Sequence, residues 1–301
     1  MAKPKLEGSM VALVTPFESD GAVNWKRLKE LVKWHEDRGT DWIVACGTTG
    51  EAATLSHEEH NKVIRAVVGA ATKAHVIGGS GSNDTVKGVK QVKEICDLGV
   101  DAVLSLSPYY NKPPQEGYFL HFSELARASE RPLIVYNVPG RTGGNIDAST
   151  QLRLAKVPNI GAVKEASGNM SQIMRVLAEA PPGFSVLSGD DAVTFPMMAM
   201  GARGVISVTA NLMPKEVAEM VHHALAGRWL QARAIHNRLL PIHEAMFFES
   251  NPIPVKEAMN LVGLKVGPVR LPLTPIAPAN REKLREVLQA AHVLQGGSRG
   301  A

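Results

Sequence analysis

The chain has little cysteine, no long apolar run and no block of like charge. Cys46 and Cys96 are the only cysteines among 301 residues. They are too few for a disulfide framework and do not form a CxxC pair. No stretch of about 18 apolar residues occurs, so no membrane span is expected. The opening MAKPKLEGSM lacks an apolar h-region, so no signal peptide is expected and the cytoplasm is the default compartment. The charges, 33 Lys+Arg against 29 Asp+Glu, are scattered, and the longest cationic cluster is the pair Lys26-Arg27. A solvated surface is therefore expected, with no nucleic-acid partner. Tyrosine is limited to four residues, which makes their positions informative.

What the chain does have is a repeated rhythm. A short apolar run ends in a turn rich in Gly, Ser, Thr or Asn, and an amphipathic stretch of helical length follows. The runs are MVALVTPF (Met10 to Phe17), WIVACGTTGE (from Trp42), HVIGGSGSND (from His75) and AVLSLSPYYN (from Ala102). PLIVYNVPGRTG (from Pro132), IGAVKEASGN (from Ile160), FSVLSGDD (from Phe184) and GVISVTAN (from Gly204) complete the set. Ser56 and Glu59 form a capping-box pattern that marks one helix start. Eight units spaced by roughly 20 to 35 residues suit an α/β fold of the (β/α)8 TIM-barrel type. The competing architecture is an open doubly wound sheet, but eight even units without a break favour closure. The barrel is expected over 1–227. Past Gly227 the rhythm gives way to three helical stretches, an appendage over 228–301 in which Pro241 threatens a kink. The tail QGGSRGA is expected to be disordered.

In such a barrel the active site lies at the C-terminal ends of the strands. There the runs carry Thr48, Thr49, Glu51, Ser80, Asn83, Tyr109, Tyr110, Tyr136, Asn137, Arg141, Lys164, Asp190 and Asn211. Three of the four tyrosines are thus expected at strand ends. Lys164 is the most unusual, since a lysine should avoid the end of an apolar strand. Two readings remain open from position alone. Lys164 is a nucleophile for a carbonyl, with Tyr136 moving the protons of carbinolamine formation and dehydration. Alternatively it pairs with a carboxylate such as Glu165 and holds the rim. Glu165 follows directly, so strand alternation should turn it the other way.

Other motifs read as structural. His57 and His60 stand three apart in a first helical turn, without HExxH spacing. His222 and His223 are adjacent on an amphipathic stretch and face different sides. GGSGS (Gly78 to Ser82) is neither GxGxxG nor a Walker pattern. Cys46 has no histidine neighbour in sequence and reads as a small buried hydrophobe. No metal and no organic cofactor are expected.

GTTGE (Gly47 to Glu51), SPYYNKP (from Ser107), YNVPGRTG (from Tyr136), GAVKEASGN (from Gly161), LSGDD (from Leu187), GVISVTAN and NPIPVK (Asn251 to Lys256) together resemble the 4-hydroxy-tetrahydrodipicolinate synthase, or dihydrodipicolinate synthase, family. The likeness runs from about Gly8 to about Pro275. It implies a (β/α)8 barrel with a C-terminal helical domain, assembled as a homotetramer, a dimer of dimers. It implies that Lys164 forms a Schiff base with pyruvate and that Tyr136 gives and takes protons. Thr48 and Tyr110 would complete the relay, Tyr110 reaching in from a neighbouring subunit. Thr49 would hold the pyruvate carboxylate, Gly189 and Ile206 would line the pocket, and Arg141 would bind the carboxylate of the second substrate, L-aspartate 4-semialdehyde. The protonated imine would serve as electron sink without a metal.

N-acetylneuraminate lyase and the 2-keto-3-deoxy sugar acid aldolases share the lysine and tyrosine of this scaffold. Arg141, Thr48 in place of serine, and NPIPVK favour the synthase. A non-catalytic binder on the same barrel would be expected to break the lysine–tyrosine–threonine set, which is intact. The resemblance also points to regulatory positions for lysine at a subunit interface, here Ala52, Ala53, His57, His60, Asn83 and Tyr109. Where lysine-sensitive relatives carry a glutamate this chain has Lys87, whose charge repels an ammonium ligand. Weak or absent lysine inhibition is expected.

Overall fold

The computed structural model describes residues 4–294; the QGGSRGA tail lies outside the described residues. Eight parallel strands alternate with helices. The first half runs β1 (Gly8–Ala12), α1 (Trp25–Glu36), β2 (Trp42–Ala45), α2 (His57–Ala70), β3 (His75–Gly81), α3 (Thr85–Asp97), β4 (Ala102–Leu106) and α4 (Gln115–Ala128). The second runs β5 (Leu133–Asn137), α5 (Pro139–Thr142), α6 (Ala148–Leu154), β6 (Ile160–Glu165), α7 (Met170–Glu179), β7 (Ser185–Ser188), α8 (Thr194–Ala199), β8 (Gly204–Ser207) and α9 (Pro214–Leu225). The strands follow chain order around a closed barrel. β1 pairs with β8 from Gly8 opposite Gly204 to Val11 opposite Ser207. At that seam Gly204 takes φ +153°, and a Cβ there would sit 2.1 Å from the carbonyl oxygen of Gly8, so only glycine lets the strands meet.

Strand alternation separates two apolar layers. Met10, Ala12, Trp42, Val44, Ile77, Leu104, Ile134, Tyr136, Ala162, Leu187 and Ile206 fill the barrel interior. Their neighbours Val11, Ile43, Val103, Leu133, Val135, Val163 and Val205 face the helices instead. Local signals set the helix starts. Ser56 and Glu59 form the expected reciprocal capping box of α2, and Asn24, Asp84 and Asn169 accept backbone N–H bonds at the starts of α1, α3 and α7. Each such cap contributes about 1 kcal/mol.

Three further helices follow, α10 (Trp229–Ala245), α11 (Ile253–Leu261) and α12 (Pro278–Ala290). Their buried residues Leu239, Ile242, Ala245, Val255, Met259 and Leu284 belong to the same apolar layer as the barrel's outer face. α10 continues through Pro241 as one helix.

Two expectations need correction. The apolar run from Met10 to Phe17 is strand only as far as Ala12, and beyond it Phe17 makes an isolated bridge with Val23. Tyr109 and Tyr110 do not end a strand. β4 stops at Leu106; Ser107 still donates to the carbonyl of Tyr136. Pro108 then has no N–H for the ladder, and Tyr110 turns away with φ +72°.

Candidate active site

The C-terminal ends of β5 and β6 build the centre of the site. Tyr136 and Lys164 are register partners, and both point inward because Ile134 and Ala162, two residues earlier, are interior positions. Lys164 is 6% exposed and Tyr136 7%. The Lys164 Nζ lies 4.0 Å from the centre of the Tyr136 ring, and the amine makes no hydrogen bond or ion pair with another described residue.

Glu165 does not partner it. Its carboxylate is fully buried on the opposite face. It accepts hydrogen bonds from Asn137 Nδ2 (3.1 Å), Gln151 Nε2 (2.6 Å), Gln172 Nε2 (3.3 Å) and the Ser167 N–H (2.7 Å). That network ties β5, β6, α6 and α7 together just behind the lysine. The rim reading of Lys164 therefore fails for Glu165, because one step along a strand reverses the side-chain direction.

Lys164 opens into a cavity of about 140 Å³ that also receives Thr48, Thr49, Tyr136, Arg141, Gly189 and Ile206. This is below the roughly 300–1,000 Å³ of pockets for drug-sized ligands and suits a small molecule. Gly189 is there for space, since a Cβ on it would lie 3.0 Å from Lys164 Cε. Its N–H donates to the carbonyl of Glu165 (2.8 Å), which holds the turn after β7 close to the lysine. Ile206, on β8, closes the floor. Thr48 and Thr49 lie in the turn after β2, whose tightness comes from Gly50 N–H to Gly47 O (3.1 Å) and Glu51 N–H to Thr48 O (3.0 Å). Arg141 stands at the mouth on α5, exposed to solvent, with Nη2 3.4 Å from the Asn251 carbonyl.

Two residues deserve more than the sequence assigned them. Asn251 is buried and lines the cavity. Its Nδ2 donates to Thr49 Oγ1 at 2.8 Å, while its Oδ1 is buried with no partner among the described residues. NPIPVK was visible as a motif, but nothing in the sequence said which barrel loop it would meet. Asp190 also lines the cavity, and burial raises its pKa. Asn137 and Asn211, expected among the polar mouth residues, serve the frame. Asn211 accepts from Val14 N–H and donates to Ala12 O, joining β1 to the turn after β8.

The remaining positions divide. Tyr110 is 86% exposed and outside the cavity. Ala52, Ala53, His60 and Tyr109 line a neighbouring hollow of about 530 Å³ that also touches Thr48, Tyr136 and Arg141. His57 and Lys87 line a separate hollow of about 300 Å³, with Lys90 and Glu94. Asn83 lines neither, and its carbonyl accepts from Asn111 Nδ2 at 2.8 Å.

The chain is similar to known proteins over nearly its whole length. The model of the dihydrodipicolinate synthetase family matches residues 5–291. A 4-hydroxy-tetrahydrodipicolinate synthase of Koribacter versatilis (strain Ellin345) is 49% identical over 296 residues, covering 98% of this chain and 99% of its own. The enzyme of that name from Geotalea uraniireducens (strain Rf4) is 51% identical over 284 residues, 94% of this chain and 98% of its own. Among solved structures, the chloride-inhibited dihydrodipicolinate synthase of Acinetobacter baumannii complexed with pyruvate superposes with a TM-score of 0.94 at 45% identity. The match covers 96% of this chain and all of that one.

Proposed function

The chain belongs to the dihydrodipicolinate synthetase family, and from that premise we propose how its residues condense pyruvate with L-aspartate 4-semialdehyde to 4-hydroxy-tetrahydrodipicolinate, a step towards diaminopimelate and lysine. The observation that carries the reading is Lys164: buried, without a carboxylate partner among the described residues, over the Tyr136 ring, in a cavity sized for a small molecule. An amine so placed attacks a carbonyl rather than holding a rim.

The Lys164 amine adds to C2 of pyruvate, and loss of water gives the imine. Tyr136 moves the protons of both steps, with Thr48 as its relay partner. Thr49 holds the pyruvate carboxylate; its hydroxyl oxygen is taken by Asn251 Nδ2, which leaves the hydroxyl proton to donate. Loss of a methyl proton gives the enamine, which attacks the aldehyde carbon of the semialdehyde. The substrate's own amine then adds to C2, displaces Lys164 and closes the ring. Arg141, a planar two-pronged donor at the mouth, binds the semialdehyde carboxylate. Gly189 and Ile206 shape the walls.

The working unit is a homotetramer, a dimer of dimers, in which Tyr110 of one copy completes the relay of the next. Its exposure, and the hollow that opens beside Thr48 and Tyr136, support that reading. We place the enzyme in the cytoplasm, where the free thiols Cys46 and Cys96 stay reduced; among the described residues no helix is long and apolar enough to cross a membrane. Lysine is a weak inhibitor at most, because Lys87 brings a cation to the hollow beside His57. Half-inhibition at sub-millimolar lysine overturns that point.

Borohydride trapping with pyruvate, followed by peptide mass spectrometry, tests the mechanism. A reduced pyruvate adduct on Lys164 is expected; no adduct, or one on another lysine, overturns it. Turnover of the semialdehyde is expected to exceed that of N-acetylmannosamine or glyceraldehyde as pyruvate's partner.

A further inference from the structure

A second buried lysine, Lys256 on α11, is 1% exposed. All three protons of its ammonium are used: Nζ donates to Glu51 Oε1 (2.7 Å), to the Thr15 carbonyl (3.0 Å) and to the Pro268 carbonyl (2.6 Å). It also lies 4.2 Å above the Phe17 ring. The other oxygen of Glu51 accepts the Arg270 N–H at 2.9 Å. Burial pulls the Lys256 pKa down to about 8 against the opposing pull of Glu51.

A buried ion pair is weak evidence of stability, since desolvation offsets much of the attraction. What it does supply is position. Glu51 closes the tight turn that carries Thr48 and Thr49, and its own backbone is left-handed at φ +55°. Thr15 Oγ1 grips the same turn at the Gly50 carbonyl (2.6 Å), and the Thr15 carbonyl is itself held by Lys256. Five residues before Lys256, Asn251 holds Thr49 Oγ1. One segment outside the barrel thus grips the turn at two points.

We propose that Lys256 is a positioning residue for pyruvate capture: through Glu51 it sets Thr48 and Thr49 against Lys164 and Tyr136. The C-terminal helices thereby control the barrel's substrate turn without touching substrate. The inference rests on the roles given above to Lys164, Thr48 and Thr49.

The test compares Lys256→Met with the double variant Lys256→Met/Glu51→Leu. The single variant strands a buried carboxylate, whereas the double variant removes both charges and recovers thermal stability. Misplacing a binding group by an ångström costs up to about 10²-fold, so the pyruvate KM is expected to rise about tenfold in both variants. The semialdehyde KM is expected to move less than twofold. Borohydride at saturating pyruvate should still label Lys164 in both, with the half-labelling concentration of pyruvate shifted. A purely structural role predicts instead that pyruvate KM returns to the wild-type value as stability is recovered. That recovery, or a folded Lys256→Met with unchanged pyruvate KM, overturns the proposal. Should the single variant not fold, the double variant alone decides. Failure to label Lys164 even in the wild type would count against the mechanism, not against the clamp.

Discussion

Two lysines are buried among the described residues, each about 4 Å from an aromatic ring, and they live opposite lives. Lys256 spends every donor on a carboxylate and two carbonyls. Lys164 lies over the Tyr136 ring and faces a cavity, with no hydrogen bond or ion pair to another described residue. Burial alone does not distinguish them; satisfaction does. An ammonium with all its partners is fixed and chemically idle. An amine held by a strand end, with no partner and space in front, is available to a carbonyl. The same contrast separates the two glutamates nearby. Glu51 serves Lys256, while Glu165 faces away from Lys164 into amides that stiffen the frame.

The contrast is sharpest in paired substitutions. Lys164→Met is expected to lower kcat/KM by a factor on the order of 10⁴, as loss of a covalent nucleophile does. Its melting temperature should be unchanged or higher, because no ion pair is broken; steady-state kinetics and a thermal melt check both. Lys256→Met should do the reverse on the stability axis, costing about 3–5 kcal/mol in denaturant unfolding by leaving Glu51 unpaired. Equal stability losses for the two variants would erase the distinction. Tyr136→Phe keeps the ring under the amine and removes only the hydroxyl, so a loss of about 10²-fold in kcat is expected with little change in stability.

The smallest effect concerns Arg270, two residues beyond the Pro268 carbonyl that Lys256 holds. Arg270 hydrogen-bonds Glu59 at 2.6 and 2.8 Å and stacks on Phe17. That bonding, against the opposing effect of burial, holds the Glu59 carboxyl down at about 2, below its ordinary 4.5. A carboxylate depressed in the folded state adds stability above its unfolded pKa and loses it as pH falls through the folded one. The contribution is therefore present above about pH 4.5 and fades towards pH 2. Glu59→Gln should flatten that part of the melting-temperature profile, modestly, because the pair is partly solvated. A profile identical to the wild type would mean that the Glu59–Arg270 pair adds nothing to stability.

Much of the architecture was legible because it rests on local chemistry. Apolar runs punctuated by turns announced eight strand–helix units, and Ser56 with Glu59 announced a helix start that the structure keeps. Lys164 was conspicuous because its residue type contradicted its neighbours, and Tyr136 because tyrosine is scarce. The tyrosine pair after β4 was misplaced, since Pro108 ends the ladder before them. Asn251 was visible only as part of a motif, because its contact with Thr49 spans 202 residues.

The sequence by itself determined the barrel class and singled out Lys164 and Tyr136 as strand-end residues out of keeping with their neighbours, since periodicity, caps and an ill-matched residue are all short-range signals. Only the tertiary structure decided which charge meets which. Glu165 is adjacent to Lys164 in the chain, yet strand alternation turns it to the other face. Glu51 lies 205 residues from Lys256, yet closing the barrel and packing α11 on it bring them to 2.7 Å. Pairing in space follows side-chain direction and packing, which distance along the chain does not encode.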